Sequence, residues 1–279
     1  MEINYVKDTF EEYLNGDGIS ASDIKTFLKS PRLYYYQKHN KQKDDNQRHF
    51  SIGSAAHEMI LEPELFSSNY LVCPKIDKRT KEGKEQYAKF VSDAEGKTIL
   101  YDDEMEMVIQ MAANARMNPT LMELLADSYY EVSCYTTDEK TGLSIRLRPD
   151  ILPTSKSTIV DIKTCIDSSP RKFKNDVYSY GYSISAAFYS DFLMRENYVF
   201  AAIEKSAPFQ ASLYVLSDDM VEYGRTQYRM ALDLLKWSID NNYWCDYVEF
   251  EVLKESYELG SLDTALDTIQ KSELIKILE

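Results

Sequence analysis

The chain has 279 residues and a formal charge of −14, with 44% hydrophobic and 13% aromatic residues, 22 of them tyrosine. Such a length buries one substantial core, and this composition excludes a disordered or low-complexity chain. Met1-Glu2-Ile3-Asn4-Tyr5 lacks a charged and then apolar leader, and no run of about 18 apolar residues follows, so a soluble protein without a membrane partner is expected.

Ser20-Ala21-Ser22-Asp23 has N-cap chemistry, and Ile24, Phe27 and Leu28 follow at helical spacing. Ser30-Pro31 predicts one helix stopping and another starting, carrying Tyr34-Tyr35-Tyr36, with at least one ring on the core. Lys38 to His49 is polar and predicts a loop. Phe50 to Leu61 predicts a helix with Gly53, Ala55 and Ala56 beside His57, small residues that let another backbone approach. His57 itself is either a packed structural residue or a metal ligand.

Residues 76–93 predict a charged helix, and 102–117 another with Met105, Val108, Ile109 and Ala112 as its apolar face. Asn118-Pro119 ends it, and a short helix spans 120–126. Tyr130 to Tyr135, Leu143 to Leu152 and Thr158 to Lys163 then predict three strands of a meander, with a turn at 138–142. Ser168-Ser169-Pro170 opens a polar loop holding Arg171, Lys172 and Lys174. A helix over 184–196, strands over 198–203 and 211–216, and a long helix over 218–239 complete the central part. An amphipathic helix over 264–278 would present Leu266, Ile269, Leu274 and Ile277.

The four cysteines, Cys73, Cys134, Cys165 and Cys245, lie too far apart for a Cys-x-x-Cys site, so reduced, packed thiols are expected. The net charge argues against a nucleic-acid partner, but its distribution is uneven. Residues 75–89 hold six Lys or Arg against three acids, whereas 246–279 hold nine acids against three lysines. The basic run is either a DNA-facing surface or a solvated helix.

Asp150 follows Pro149, and Asp161-Ile162-Lys163 begins eleven residues later. Residues two apart on a strand share a face, so Asp161 and Lys163 project together while Ile162 enters the core. An antiparallel neighbour would set Asp150 beside Asp161. A pair of carboxylates so placed suits a hard cation such as Mg²⁺, with substrate phosphate and water completing the shell. Lys163 would then orient the attacking water or stabilise charge in the transition state. The alternative is a turn closed by Asp150 and a surface ion pair between Asp161 and Lys163.

In order, Gly53-x-x-x-His57, Pro149-Asp150, Asp161-Ile162-Lys163 and Tyr189, four residues after Ser185, resemble the motifs of the RecB-like branch of the PD-(D/E)XK nucleases. Ser20-Ala21-Ser22-Asp23 with Ser30-Pro31, Gly53 to Glu58 with Leu61-Glu62-Pro63, Asp77 to Lys84 and Arg146 to Asp150 extend the likeness. With them the chain resembles the exonuclease VIII (RecE) type of phage and prophage recombination exonuclease, over about residues 18–216. The resemblance implies an α/β fold, with a central mixed sheet flanked by helices. It implies a 5′→3′ exonuclease on double-stranded DNA ends that leaves a 3′ strand for an annealing protein. It further implies Mg²⁺, with Mn²⁺ able to substitute, a ring-forming homo-oligomer and a place in the bacterial cytoplasm.

By the same resemblance His57, Asp150 and Asp161 bind metal with the Ile162 carbonyl, and Lys163 is the catalytic lysine. Ser22, Arg148, Ser185 and Tyr189 would face substrate, Ser22 at a 5′-phosphate. Ser185 departs from the Gln-x-x-x-Tyr pattern, which puts substrate positioning in question. Glu131 is either a further carboxylate or an exposed strand residue. The expected division is a nuclease domain over 1–245 and an acidic extension over 246–279. A structure-specific or nicking endonuclease and an idle DNA-binding module are the competing functions.

Overall fold

A computed structural model describes residues 2–40, 48–94 and 96–271. In chain order the elements are β1 (Asn4–Val6), α1 (Phe10–Asn15), α2 (Ala21–Lys29), α3 (Pro31–His39), α4 (Arg48–Leu61), α5 (Phe66–Asn69), β2 (Tyr70–Cys73), α6 (Lys81–Asp93), β3 (Thr98–Tyr101), α7 (Asp102–Met117) and α8 (Pro119–Leu125). Then come β4 (Ser128–Tyr130), β5 (Ser133–Thr137), β6 (Ser144–Leu147), β7 (Ile151–Pro153), β8 (Thr158–Cys165), α9 (Pro170–Ser179), α10 (Tyr182–Phe192), β9 (Asn197–Glu204), β10 (Ala211–Val215), α11 (Asp218–Asn241), α12 (Tyr247–Glu258) and α13 (Ala265–Lys271).

A mixed five-stranded sheet, ordered β10-β9-β8-β7-β4, lies at the centre; β8 and β9 are parallel and the other pairs antiparallel. The two-residue period of β8 and β9 divides the core. Ile159, Tyr198, Phe200 and Ala202 face one helical layer with Phe27, Phe173, Phe188, Tyr228 and Phe250. Val160, Ile162, Val199 and Ala201 face the other, with Ala56, Ile60, Met111 and Leu121. The expected fold class, a mixed sheet between helices, is what the chain adopts.

The strands before β8 are not a meander. β5 and β6 pair in a second sheet with β1, whereas β4 and β7 pair in the central one. One two-stranded ribbon therefore leaves one sheet and enters the other, bending at Glu131-Val132 on one strand and Arg148-Pro149-Asp150 on its partner. The ribbon stays joined at the bend, where the Glu131 N–H donates to the Asp150 carbonyl at 3.1 Å. Glu131 takes a left-handed backbone (φ 48°) there, which is uncommon for a residue with a side chain and re-aims it relative to the strand.

Other differences have local causes. The stretch 168–174 is polar, yet α9 begins at Pro170 and buries Phe173 and Val177 four residues apart. Residues 76–80 precede α6 rather than joining it, and β2 and β3 form a parallel pair where the sequence pattern predicts no strand. On α7, Ile109 is exposed and Met111 and Ala115 join Val108 and Ala112 in the core. Of the expected loop over 38–49, residues 41–47 lie outside the described residues, as do Leu274 and Ile277 of the expected C-terminal helix. Packing does not break at 245: α12 sets Phe250 and Leu253 in the main core, and Phe250 meets Phe27 edge-on at 5.5 Å.

Candidate active site

Strand β7 pairs with β8 only at Ile151↔Val160. Beyond that point the backbone of Ile162 has no strand on this side, and two side chains take its polar groups. Its N–H donates to Asp150 Oδ2 at 2.6 Å. Its carbonyl lies 2.9 Å from His57 Nε2. A carbonyl only accepts, so Nε2 carries the proton and Nδ1 keeps its lone pair, 3.6 Å from Asp150 Oδ2.

Helix α4 delivers His57 by close packing. A Cβ on Gly53, one turn earlier, would sit 3.2 Å from Thr164 Oγ1 of β8, so the small residue lets the helix approach the strand. Burial first, and the Lys163 charge second, lower the His57 pKa to about 4. The imidazole is thus neutral near pH 7, the form that binds a cation.

Glu131 completes a cluster. Among the described residues, ligand atoms of His57, Glu131 and Asp150 lie within 4.8 Å of one another. Burial, then the charges of Asp161 and Glu131, pushes the Asp150 pKa well above the carboxylate range, and burial likewise raises that of Glu131. Like charges held this close are unfavourable unless protonated or bridged by a cation. Asp161 Oδ2 is buried without a well-directed hydrogen bond, although Lys163 Nζ lies 2.5 Å away. The donor set, a neutral imidazole beside clustered carboxylates, fits a divalent cation.

Glu131 is half-buried and lies in this cluster, at the bend between β4 and β5 rather than exposed on a strand. Asp161 turns towards Lys163 rather than into that trio, and the Ile162 carbonyl is held by His57. Asp161 and Lys163 do share a face with Ile162 in the core. Burial alone would lower the Lys163 pKa, but Asp161 and Asp150 hold it above the usual lysine value, so Lys163 is an ammonium. The Tyr182 ring lies 5.3 Å from its Nζ.

Arg148 directs Nε to Glu131 Oε2 at 2.9 Å and Nη1 to the Asp8 carbonyl and Ser133 Oγ, each at 3.0 Å. It braces the ribbon bend. The Tyr189 hydroxyl meets the Arg148 backbone, accepting from its N–H at 3.2 Å. Ser22 is exposed in the first turn of α2, and Ser185 is buried on α10. Lys25, Tyr182 and Tyr198 line the site without having been singled out. The buried Tyr198 hydroxyl lies beside Asp161, and Lys25 Nζ donates to Ser185 Oγ at 3.2 Å.

Residues 20–254 match the model of a family described as a PDDEXK-like domain of unknown function (DUF3799). The chain belongs to this PDDEXK-like family. A protein from Eubacterium rectale, provisionally described as an exonuclease, has the same fold, with a TM-score of 0.54 at 14% identity over 98% of this chain and 96% of its own. A phage related exonuclease from Haemophilus somnus 129PT is 10% identical over 82% of this chain and 98% of its own, with a TM-score of 0.37. An alkaline exonuclease from Laribacter hongkongensis is 12% identical over 64% and 95%, with a TM-score of 0.31; these last two are too distant to argue from. No curated protein matches the chain. In this PDDEXK-like protein, no helix among the described residues is long and apolar enough to cross a membrane.

Proposed function

We propose that this PDDEXK-like protein is a divalent-metal-dependent nuclease that degrades linear double-stranded DNA from the 5′ end. The observation that carries the reading is the convergence of His57, Glu131 and Asp150 beside the Asp161–Lys163 pair on β8. His57 Nδ1 and the carboxylates of Asp150, Glu131 and Asp161 are the groups that would hold Mg²⁺ or Mn²⁺. When bound, such an ion supplies Lewis-acid polarisation of the phosphoryl group and lowers the pKa of water.

The chain's own residues do the remaining work. Lys163, held as an ammonium by Asp161, orients the attacking water and offsets the charge that gathers on the phosphoryl oxygens. Tyr189 and Arg148 position the Pro149-Asp150 turn, and Ser22 stands exposed on α2 for the DNA strand. The 5′→3′ polarity, the 3′ tail passed to an annealing protein, the ring assembly and the bacterial cytoplasm rest on the resemblance to exonuclease VIII.

The test is nucleotide release from a 5′-phosphorylated linear duplex, labelled at one end, with Mg²⁺. Release from the 5′ end by wild type and none by Asp161→Ala is expected; equal release by both would sink the proposal. Cleavage of closed circular DNA would make it an endonuclease instead. Light scattering checks the ring, which a strict monomer would exclude.

A further inference from the structure

Lys25 has no evident structural reason to be charged where it stands. It projects from α2 into the space between α10 and β8, where the surrounding ionic groups are Lys163 and Asp161. Its position is fixed from two sides. Ile19 pairs with Ile145 of β6, and Ser20 with Asp23 forms the capping box that starts α2 at this edge. The methylenes of Lys25 then lie over Gly181, where a Cβ would meet Lys25 Cδ at 3.0 Å and Cγ at 3.5 Å.

The head group ends at Ser185 Oγ, 3.2 Å away. Among the described residues it forms no ion pair with a carboxylate, because the near one, Asp161, is taken by Lys163. An ammonium has three donors, and one hydroxyl satisfies one of them. Burial, followed by the Lys163 charge, lowers the Lys25 pKa to about 8, a sign that the cation lacks an anionic partner in the protein alone. Two ammonium groups thus flank one carboxylate at the edge of a nuclease-like site, and the missing partner is an anion.

We infer that Lys25, steadied by Ser185, binds a phosphate oxygen of the DNA strand at this site. The inference rests on the nuclease reading and adds a substrate-binding cation to it. Ser185 is the position at which the chain departs from the Gln-x-x-x-Tyr pattern. A short hydroxyl there leaves room for the long lysine from α2 and gives its nitrogen an acceptor.

The test uses full-length protein carrying Asp161→Asn, which removes turnover, in Mg²⁺. Fluorescence anisotropy follows binding to 5′-phosphorylated and 5′-hydroxyl duplexes, with Lys25→Met and Lys25→Arg added in turn. Lys25→Met is expected to weaken binding about tenfold and lower the salt slope by about one, as loss of one phosphate contact does. Lys25→Arg should stay within about threefold, which separates charge from packing. A loss confined to the phosphorylated duplex assigns the terminal phosphate; an equal loss on both assigns an internal phosphodiester.

Binding of both duplexes by Lys25→Met as by the parent, with an unchanged salt slope, would overturn the inference. So would an equal loss in the arginine variant, since that marks packing alone. Should Lys25→Met fail to fold, Ser185→Ala carries the test: about threefold weaker binding is expected, and none overturns it. Cleavage by the otherwise wild-type chain is scored separately. A chain that binds through Lys25 but never cleaves removes the nuclease reading and keeps this site; one that cleaves and ignores Lys25 does the reverse.

Discussion

The Asp150 carboxylate accepts the N–H of Ile162 at 2.6 Å, so a side chain stands where a neighbouring strand would otherwise pair with β8. This bond ties the candidate metal ligand to the strand that carries Asp161 and Lys163. It also explains why the ribbon must bend here: Pro149 has no N–H to continue the ladder, and the turn lifts Asp150 out of register.

Removing that carboxylate should therefore have two opposite effects. Asp150→Asn is expected to abolish cleavage and also to raise the Tm of the metal-free protein, because burial and the charges of Asp161 and Glu131 make the ionised form unfavourable. Wild type should gain stability with Mn²⁺, about 2.7 kcal/mol at a hundredfold excess over Kd. EDTA should reverse the gain, and Asp150→Asn should not show it. Differential scanning calorimetry with and without metal checks both effects, and an equal Mn²⁺ gain in the variant would place the ion elsewhere.

Glu131 discriminates between ligand sets. If the cation sits among His57, Glu131 and Asp150, Glu131→Gln weakens Mn²⁺ binding about tenfold or more, or about 1.4 kcal/mol. Calorimetric titration decides it. An affinity within twofold of wild type would leave Glu131 as the partner of Arg148 alone.

Lys163→Met should lower kcat by about 10²–10³, the typical effect of losing one preorganised charge donor, while Mn²⁺ affinity holds within a fewfold. The measurement pairs single-turnover cleavage with metal titration. A parallel collapse of both would mean that Lys163 maintains the fold of the site rather than acting on substrate.

Much of this arrangement was legible in the chain. Strand alternation over 158–163 correctly set Asp161 and Lys163 on one face, and the Gly53-to-His57 spacing anticipated a helix pressed against a backbone. Periodicity fails where one strand changes sheets, since Tyr130 to Tyr135 alternates straight through the bend at Glu131. Nor does a left-handed glutamate announce itself as a glycine would. On α9, Arg171, Lys172 and Lys174 obscure Phe173 and Val177. Lys25 reaches Ser185 across 160 residues, and the shortened side chain at 185 signals only that something else fills the space.

Helix α12 tests where the domain ends. Phe250 is 1% exposed and packs edge-on against Phe27 of α2. Phe250→Ala should destabilise the protein by about 3–5 kcal/mol, the range for a large aromatic removed from a core. Urea unfolding measures it. A loss under about 1 kcal/mol would support the expected division at residue 245.

Lys25 gives a pH dependence whose sign follows from its lowered pKa. In the folded, metal-free chain it titrates at about 8 against a usual 10.5, so below about pH 8 both states are protonated and the folded one carries the burial penalty in full. Between about 8 and 10.5 only the unfolded state holds the proton, and folding stability rises with pH. Lys25→Met removes the group from both states. In EDTA at pH 7 the variant should therefore be more stable than wild type by about 1–3 kcal/mol, on the order of 1.36 kcal/mol per unit and reduced because the side chain is not wholly buried. The advantage should shrink steadily as the pH is raised to about 10. Chemical unfolding of both proteins across that range reads it directly, and a variant less stable than wild type at pH 7 would show that the ammonium already has its partner in the folded chain.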